Sequence, residues 1–159
     1  MQYLPNATSG TRVAGGATGG MSYTQLNRVW GFYFDSVTNS FIIGNGLGQN
    51  VVRWRFGESN WTQLAGSLGI TGTSSTTFNT IVYVTLDPMG NMYVCDHYNH
   101  RIQFFWAGQS SGITLAGVTG QPGDNATMLH TPCSVILDNQ LNLYVADFDN
   151  HRVQNFLRY

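Results

Sequence analysis

Short runs of β-branched and aromatic residues alternate with stretches rich in Gly, Asn, Ser and Thr along the whole chain. None of the runs keeps a helical period, so each reads as a strand and each polar stretch as a turn or loop. The runs recur in register. Val13-Ala14-Gly15-Gly16, Leu64-Ala65-Gly66-Ser67 and Leu115-Ala116-Gly117-Val118 stand 51 residues apart. In each unit an apolar residue precedes an aspartate by nine positions: Leu26 before Asp35, Phe78 before Asp87 and Leu129 before Asp138.

Four strands follow from each period. The first, a buried strand, covers Val29 to Phe34, Ile81 to Leu86 and Cys133 to Leu137. A turn follows, clearest in Asp87-Pro88-Met89-Gly90-Asn91, where Pro presets φ and Gly or Asn accepts a positive one. The second strand is Phe41-Ile42-Ile43, Met92 to Cys95 or Leu143 to Ala146, and the third is Val51 to Phe56, Arg101 to Trp106 or Arg152 to Leu157. The next opening motif, with Trp61-Thr62-Gln63 or Gly112-Ile113-Thr114 before it, supplies the fourth. Four short strands per repeat of about 50 residues is the pattern of a propeller blade.

Two stretches narrow this to a family. Asp87-Pro-Met-Gly-Asn-Met-Tyr-Val-Cys-Asp96-His-Tyr-Asn-His-Arg101-Ile and Asp138-Asn-Gln-Leu-Asn-Leu-Tyr-Val-Ala-Asp147-Phe-Asp-Asn-His-Arg152-Val closely resemble the NHL repeat. The first unit departs from it: Gly44 stands in place of the second Asp, and Asn45 to Asn50 reads as a loop two residues longer. The expected fold is an all-β propeller of three four-stranded blades over 1–159, with repeats at about 13–63, 64–114 and 115–159. The resemblance implies a ring that is mostly six-bladed, so three blades read as half of one. Residues 1–12 supply strand material, and a spare fourth strand around Arg12 to Ala14 matches the one the third blade lacks. A homodimer is expected, each N-terminal strand completing the partner's last blade. The chain reads as a natural or engineered half-propeller that self-assembles.

Charge removes several functional classes. Charged residues make up only 9% of the chain, all seven basic residues are Arg, and the net charge is -1. Neither nucleic acid nor an anionic membrane is an expected partner. No apolar run is long enough to span a bilayer. Three sequons, at Asn6, Asn60 and Asn125, lean toward an extracellular setting. Cys95 and Cys133 both fall in strands and read as thiols.

The recurring Asp87, Asp96, Arg101, Asp138, Asp147 and Arg152 are assigned to maintaining the repeat, each second Asp accepting backbone N–H groups in a loop. Function is expected where repeats differ, on the loops at one mouth of the central channel. The ligand-binding candidates there are Asn45, His97, Tyr98, Phe148 and Asp149, suited to a protein, peptide or glycan. No catalytic or metal-ligating set and no cofactor is predicted, although a channel-bound calcium ion fits the architecture. Relatives of NHL propellers include peptidyl-amidoglycolate lyases, which hold metal in the channel, and RNA-binding TRIM-type proteins. The resemblance therefore brings a lyase-like enzyme and an RNA-binding domain as alternatives to a binding module.

Overall fold

The computed structural model describes residues 9–158 and is all-β apart from three single-turn 3-10 segments. Three antiparallel sheets follow one another along the chain. Blade 1 contains β1 (Val29–Asp35), β2 (Ser40–Asn45), β3 (Asn50–Arg55) and β4 (Thr62–Gly66). Blade 2 contains β5 (Ile81–Leu86), β6 (Met92–Asp96), β7 (Arg101–Phe105) and β8 (Ile113–Gly117). Blade 3 stops at three strands, β9 (Pro132–Leu137), β10 (Leu143–Asp147) and β11 (Arg152–Phe156). Residues 1–8, which carry part of the expected N-terminal strand material and the Asn6 sequon, lie outside the described residues.

Each blade is a meander whose first strand lies nearest the channel. Its turns follow from side chains that outbid the ladder locally. Asp87 Oδ1 accepts the N–H groups of Met89 and Asn91, both at 2.9 Å, and Asp138 does the same for Gln140 and Asn142. These Asx turns fix the length of the first hairpin. The fourth strand ends at a glycine with positive φ, +88° at Gly66 and +83° at Gly117. A Cβ there would strike the carbonyl of Gln49 or His100, so both conformation and space require glycine.

Apolar faces stack blade on blade, and that burial is the main stabilising term. One cluster joins Ile42, Val51 and Ala65 of blade 1 to Phe78, Ile81, Val94 and Phe105 of blade 2. A second joins Tyr93, Cys95, Ile102 and Phe104 of blade 2 to Leu129, Val135, Leu143 and Val145 of blade 3. Blade 1 packs so closely on blade 2 that a Cβ at Gly31 would lie 2.8 Å from the Val82 carbonyl.

The buried first strand holds for β5 but not for β1, where Val29, Trp30, Phe32 and Phe34 are exposed. Phe32 and Phe34 set their rings against Phe41, on the side of the sheet away from blade 2. Cys95 is buried and Cys133 partly so, and both are free thiols. Desolvation raises the pKa of both. Truncating Phe105→Ala in the first inter-blade core is expected to cost about 3–5 kcal/mol in urea unfolding. Val37→Ala at an exposed turn should change stability by about 0.5 kcal/mol or less.

Candidate functional site

Between the second and third strands of every blade the chain makes one 3-10 turn, Gly46–Gly48, His97–Asn99 and Phe148–Asn150. Each turn ends on a non-glycine residue in the left-handed region: Gln49 at φ 57°, His100 at 55° and His151 at 52°. The first two link neighbouring blades. Gln49 Oε1 accepts the Thr80 N–H at 2.8 Å, and His100 Nδ1 accepts the Thr131 N–H at 3.1 Å.

A buried carboxylate anchors each turn of the two regular blades. Asp96 accepts the Asn79 N–H at 2.7 Å, the Asn99 amide at 2.8 Å and the Arg101 Nε–H at 2.8 Å. The Arg101 guanidinium then donates to the carbonyls of Thr73, Ser74 and Thr77 in the loop leading into the blade. Burial raises the Asp96 pKa, and the hydrogen bonds and the guanidinium oppose that rise. Asp147 repeats the arrangement with the His130 N–H, Asn150 and Arg152.

Blade 1 keeps the geometry without the charge. Asn45 Oδ1 accepts the Asn27 N–H at 2.6 Å, and its amide donates to Asn50 Oδ1 at 2.8 Å. Asn45 therefore stands where Asp96 stands, paired with Asn50 as Asp96 is with Arg101. This corrects two expectations. The loop is not two residues longer, since both spans cover five positions, and Gly44 does not replace the carboxylate. Asn45, expected among the ligand-binding residues, is fully buried in this structural role.

Among the other candidates, His97, Tyr98 and Phe148 come together on the channel side. They rim a cavity of about 300 Å³ that Trp30 of β1, Val82 and Tyr83 of β5 and Cys133 of β9 also line. Trp30, Tyr98 and Phe148 are 65%, 55% and 60% exposed. His97 is held by its Nδ1 at 3.2 Å from the Pro132 carbonyl and by its ring against Tyr98. Asp149 is outside this lining: its carboxylate accepts the Thr131 hydroxyl and stands 3.7 Å from His130 Nε2. The strand residues Trp30, Tyr83 and Cys133 escaped sequence reasoning, which looked only at loops. Their signal was position, since the first strand of a blade lines the channel.

A larger cleft of about 700 Å³ opens on the other side of the blade 2–blade 3 junction, between Trp106, Ile113, Leu115, Leu141 and Phe156. Apolar side chains make up most of its lining, with Asp87, Asn91, Asn155 and Arg158 among the polar ones, and one wall is the end of β11. The smaller cavity is the better candidate site, because aromatic rings and polar groups from all three blades converge on it. Among the described residues no three His, Cys, Asp or Glu side chains converge to hold a metal ion.

The comparisons with known proteins agree with this architecture. The NHL repeat model matches residues 131–156, which run from Thr131 through β11. No curated protein sequence matches the chain. Among solved structures, it is similar to an auxiliary nutrient binding protein from Bacteroides thetaiotaomicron, with a TM-score of 0.65 and 16% identity over 78% of this chain and 36% of that one. A counterpart from Bacteroides ovatus gives 0.58 at 14% identity over 78% and 36% of the two chains. A streptogramin B lyase gives 0.57 at 6% identity over 80% and 36%. The chain thus spans about a third of the length of these structures, and the likeness is one of fold. The third unit is an NHL repeat, and the three sheets are consecutive blades of a propeller-like fold.

Removing the Arg101 side chain would leave Asp96 charged, buried and unpaired. Arg101→Ala is expected to cost about 3–5 kcal/mol in urea unfolding. Asn50→Ala, which leaves only a neutral amide unpaired, should cost about 1–3 kcal/mol. His100 gives a pH signature. Burial, then the nearby His130 and His97, lowers its pKa below 6.5, and the bond from Thr131 needs the neutral ring. The unfolded chain takes up that proton first, so this contribution is intact above 6.5 and is lost as pH falls below it. His100→Gln, which copies Gln49, should flatten the loss of stability between about pH 7 and 5.

Proposed function

We propose that the chain is a non-catalytic binding module that takes a neutral ligand, a sugar ring or an uncharged peptide segment, at the channel mouth. One observation carries the reading: Trp30, Tyr98 and Phe148 present exposed aromatic faces around a single cavity. Aromatic rings are rigid, large contact surfaces that lose little entropy on binding, and they suit the flat faces of sugars and peptide groups. His97, Thr80 and the Tyr98 hydroxyl supply the polar groups that orient a ligand. No carboxylate or guanidinium is among the lining residues, so net charge on a ligand would go uncompensated there.

The two neighbours described as nutrient binding proteins support a binding role. The lyase neighbour keeps an enzyme in view. Catalysis in that channel would need a convergent acid, base or metal set, and the lining offers one imidazole engaged with a carbonyl, two tyrosines and the Cys133 thiol, whose pKa burial raises. RNA binding has less support, since Arg101 and Arg152 are committed to their carboxylates and loop carbonyls. Asn60 and Asn125 are exposed, which accords with an extracellular setting.

The test is a glycan and neutral-peptide array followed by titration of the best binder, read by Trp fluorescence. Tyr98→Ala and Phe148→Ala should each weaken binding by about tenfold or more with fold and mass unchanged. Trp106→Ala in the larger cleft should leave affinity unaltered. Unchanged affinity in both channel variants, or a loss confined to Trp106→Ala, would overturn the assignment.

A further inference from the structure

Three of the four histidines gather at the seam between blades 2 and 3, beside the channel mouth. His97 and His100 come from the turn after β6, and His130 from the loop that leads into β9. The His100 and His130 rings meet edge to face with centroids 5.4 Å apart. Thr131 is held between this group and the turn of blade 3. Its N–H is donated to His100 Nδ1 at 3.1 Å and its hydroxyl to the Asp149 carboxylate. That carboxylate stands 3.7 Å from His130 Nε2, and the Asp149 N–H is donated to the His130 carbonyl at 3.2 Å. Tyr98 precedes His100 by two residues and Phe148 adjoins Asp149, so one threonine fastens together the two turns whose aromatic rings rim the cavity.

The matching seam between blades 1 and 2 makes the same bond with groups that do not titrate. Gln49 Oε1 accepts the Thr80 N–H at 2.8 Å, with Asn79 at the position of His130 and Gly46 at that of His97. An amide oxygen accepts at every pH, whereas an imidazole nitrogen accepts only while its lone pair is free. Protonated His100 would set an N–H on Nδ1 against the Thr131 N–H, two donors with no acceptor between them. His97 behaves differently. The Pro132 carbonyl can only accept, so the His97 Nδ1–H, 3.2 Å from it, donates in either charge state of the ring. It remains a tether one residue beyond the bond that is lost.

The charged groups facing His100 come from every side of the seam: His97 from its own turn, His130 from the incoming loop, and Asp149 and Asp147 from blade 3. Asp147 is committed to Arg152, and Asp96 and Arg101, which flank the turn, are committed to each other. Burial, then the two imidazoles, holds the His100 pKa below 6.5 against the pull of the two carboxylates. The neutral ring and its bond are therefore complete above 6.5 and are lost as pH falls through the lower value of the folded ring.

We propose that His100 is a proton-operated latch on the channel mouth: neutral, it holds the turns of Tyr98 and Phe148 together through Thr131, and protonated, it releases Thr131 so that the two turns part. The cavity is firmly walled at neutral pH and slack in acid. The latch lies wholly between blades 2 and 3 and does not depend on what the channel binds.

Amide hydrogen exchange on the full chain, followed residue by residue by NMR between about pH 7.5 and 4.5, tests it without any ligand in place. Thr80 is the internal reference, since its acceptor does not titrate. Protection of the Thr131 N–H relative to that of Thr80 should fall by about tenfold once pH drops below 6.5, and should stay level in His100→Gln. In parallel, Cys133 on the cavity wall, identified by peptide mass, should react with dithiodipyridine at equal rates in the two proteins at about pH 7.5 and severalfold faster in the wild type at about pH 5. A Thr131 amide that tracks Thr80 over the whole range overturns the proposal. So does an acid loss of protection that persists in His100→Gln, or Cys133 labelling that is the same in both proteins at every pH.

Discussion

Asp96 accepts hydrogen bonds from three directions at once, and each comes from a different piece of the blade. The Asn79 N–H belongs to the incoming loop, the Asn99 amide to the 3-10 turn, and the Arg101 Nε–H to the third strand. A carboxylate taken out of water is costly unless every lone pair finds a donor, so this group admits only one arrangement of its neighbours. Arg101 extends the constraint to the carbonyls of Thr73, Ser74 and Thr77. The turn that carries His97 and Tyr98 is therefore held by a buried ion pair, and the turn that carries Phe148 by its copy at Asp147. The channel mouth is presented on rigid supports although it is made of loops.

Stacking imposes the second constraint. Every blade has two apolar faces, and blade 2 buries both. Blade 1 covers much of its other face with the segment around Ala14 and Leu26, and blade 3 buries one face, which leaves side chains such as Phe32 and Val153 in water. Exposed apolar sheet faces and an unpaired edge are features that folded proteins normally cover.

The fold was legible because a propeller writes its period into the chain. Repeated Asx turns at Asp87 and Asp138 and repeated glycines after each fourth strand have no cheap substitute, so they survive as visible anchors. Blade 1 was harder to read for a physical reason. An amide pair, Asn45 with Asn50, satisfies the same backbone donor as the ion pair, so the geometry persists while the motif disappears. The left-handed turn ends were equally silent, since Gln49, His100 and His151 adopt that conformation without a glycine to mark it. Half of the candidate site was visible as odd residues in the repeat, His97, Tyr98 and Phe148. The strand half was not, because Trp30 and Tyr83 look in sequence like any residues of a buried strand, and only the curvature of the stack turns them toward the channel.

The claim on which the functional picture turns is that buried carboxylate networks hold the channel-mouth aromatics in place, Asp96 beneath Tyr98 and Asp147 beneath Phe148. Titration of the best neutral ligand against Arg101→Ala, read by Trp fluorescence at a temperature where far-UV circular dichroism shows the variant folded, addresses it most directly. Binding should weaken by about tenfold or more, because the turn that carries Tyr98 loses its anchor. Unchanged affinity in the folded variant would contradict it.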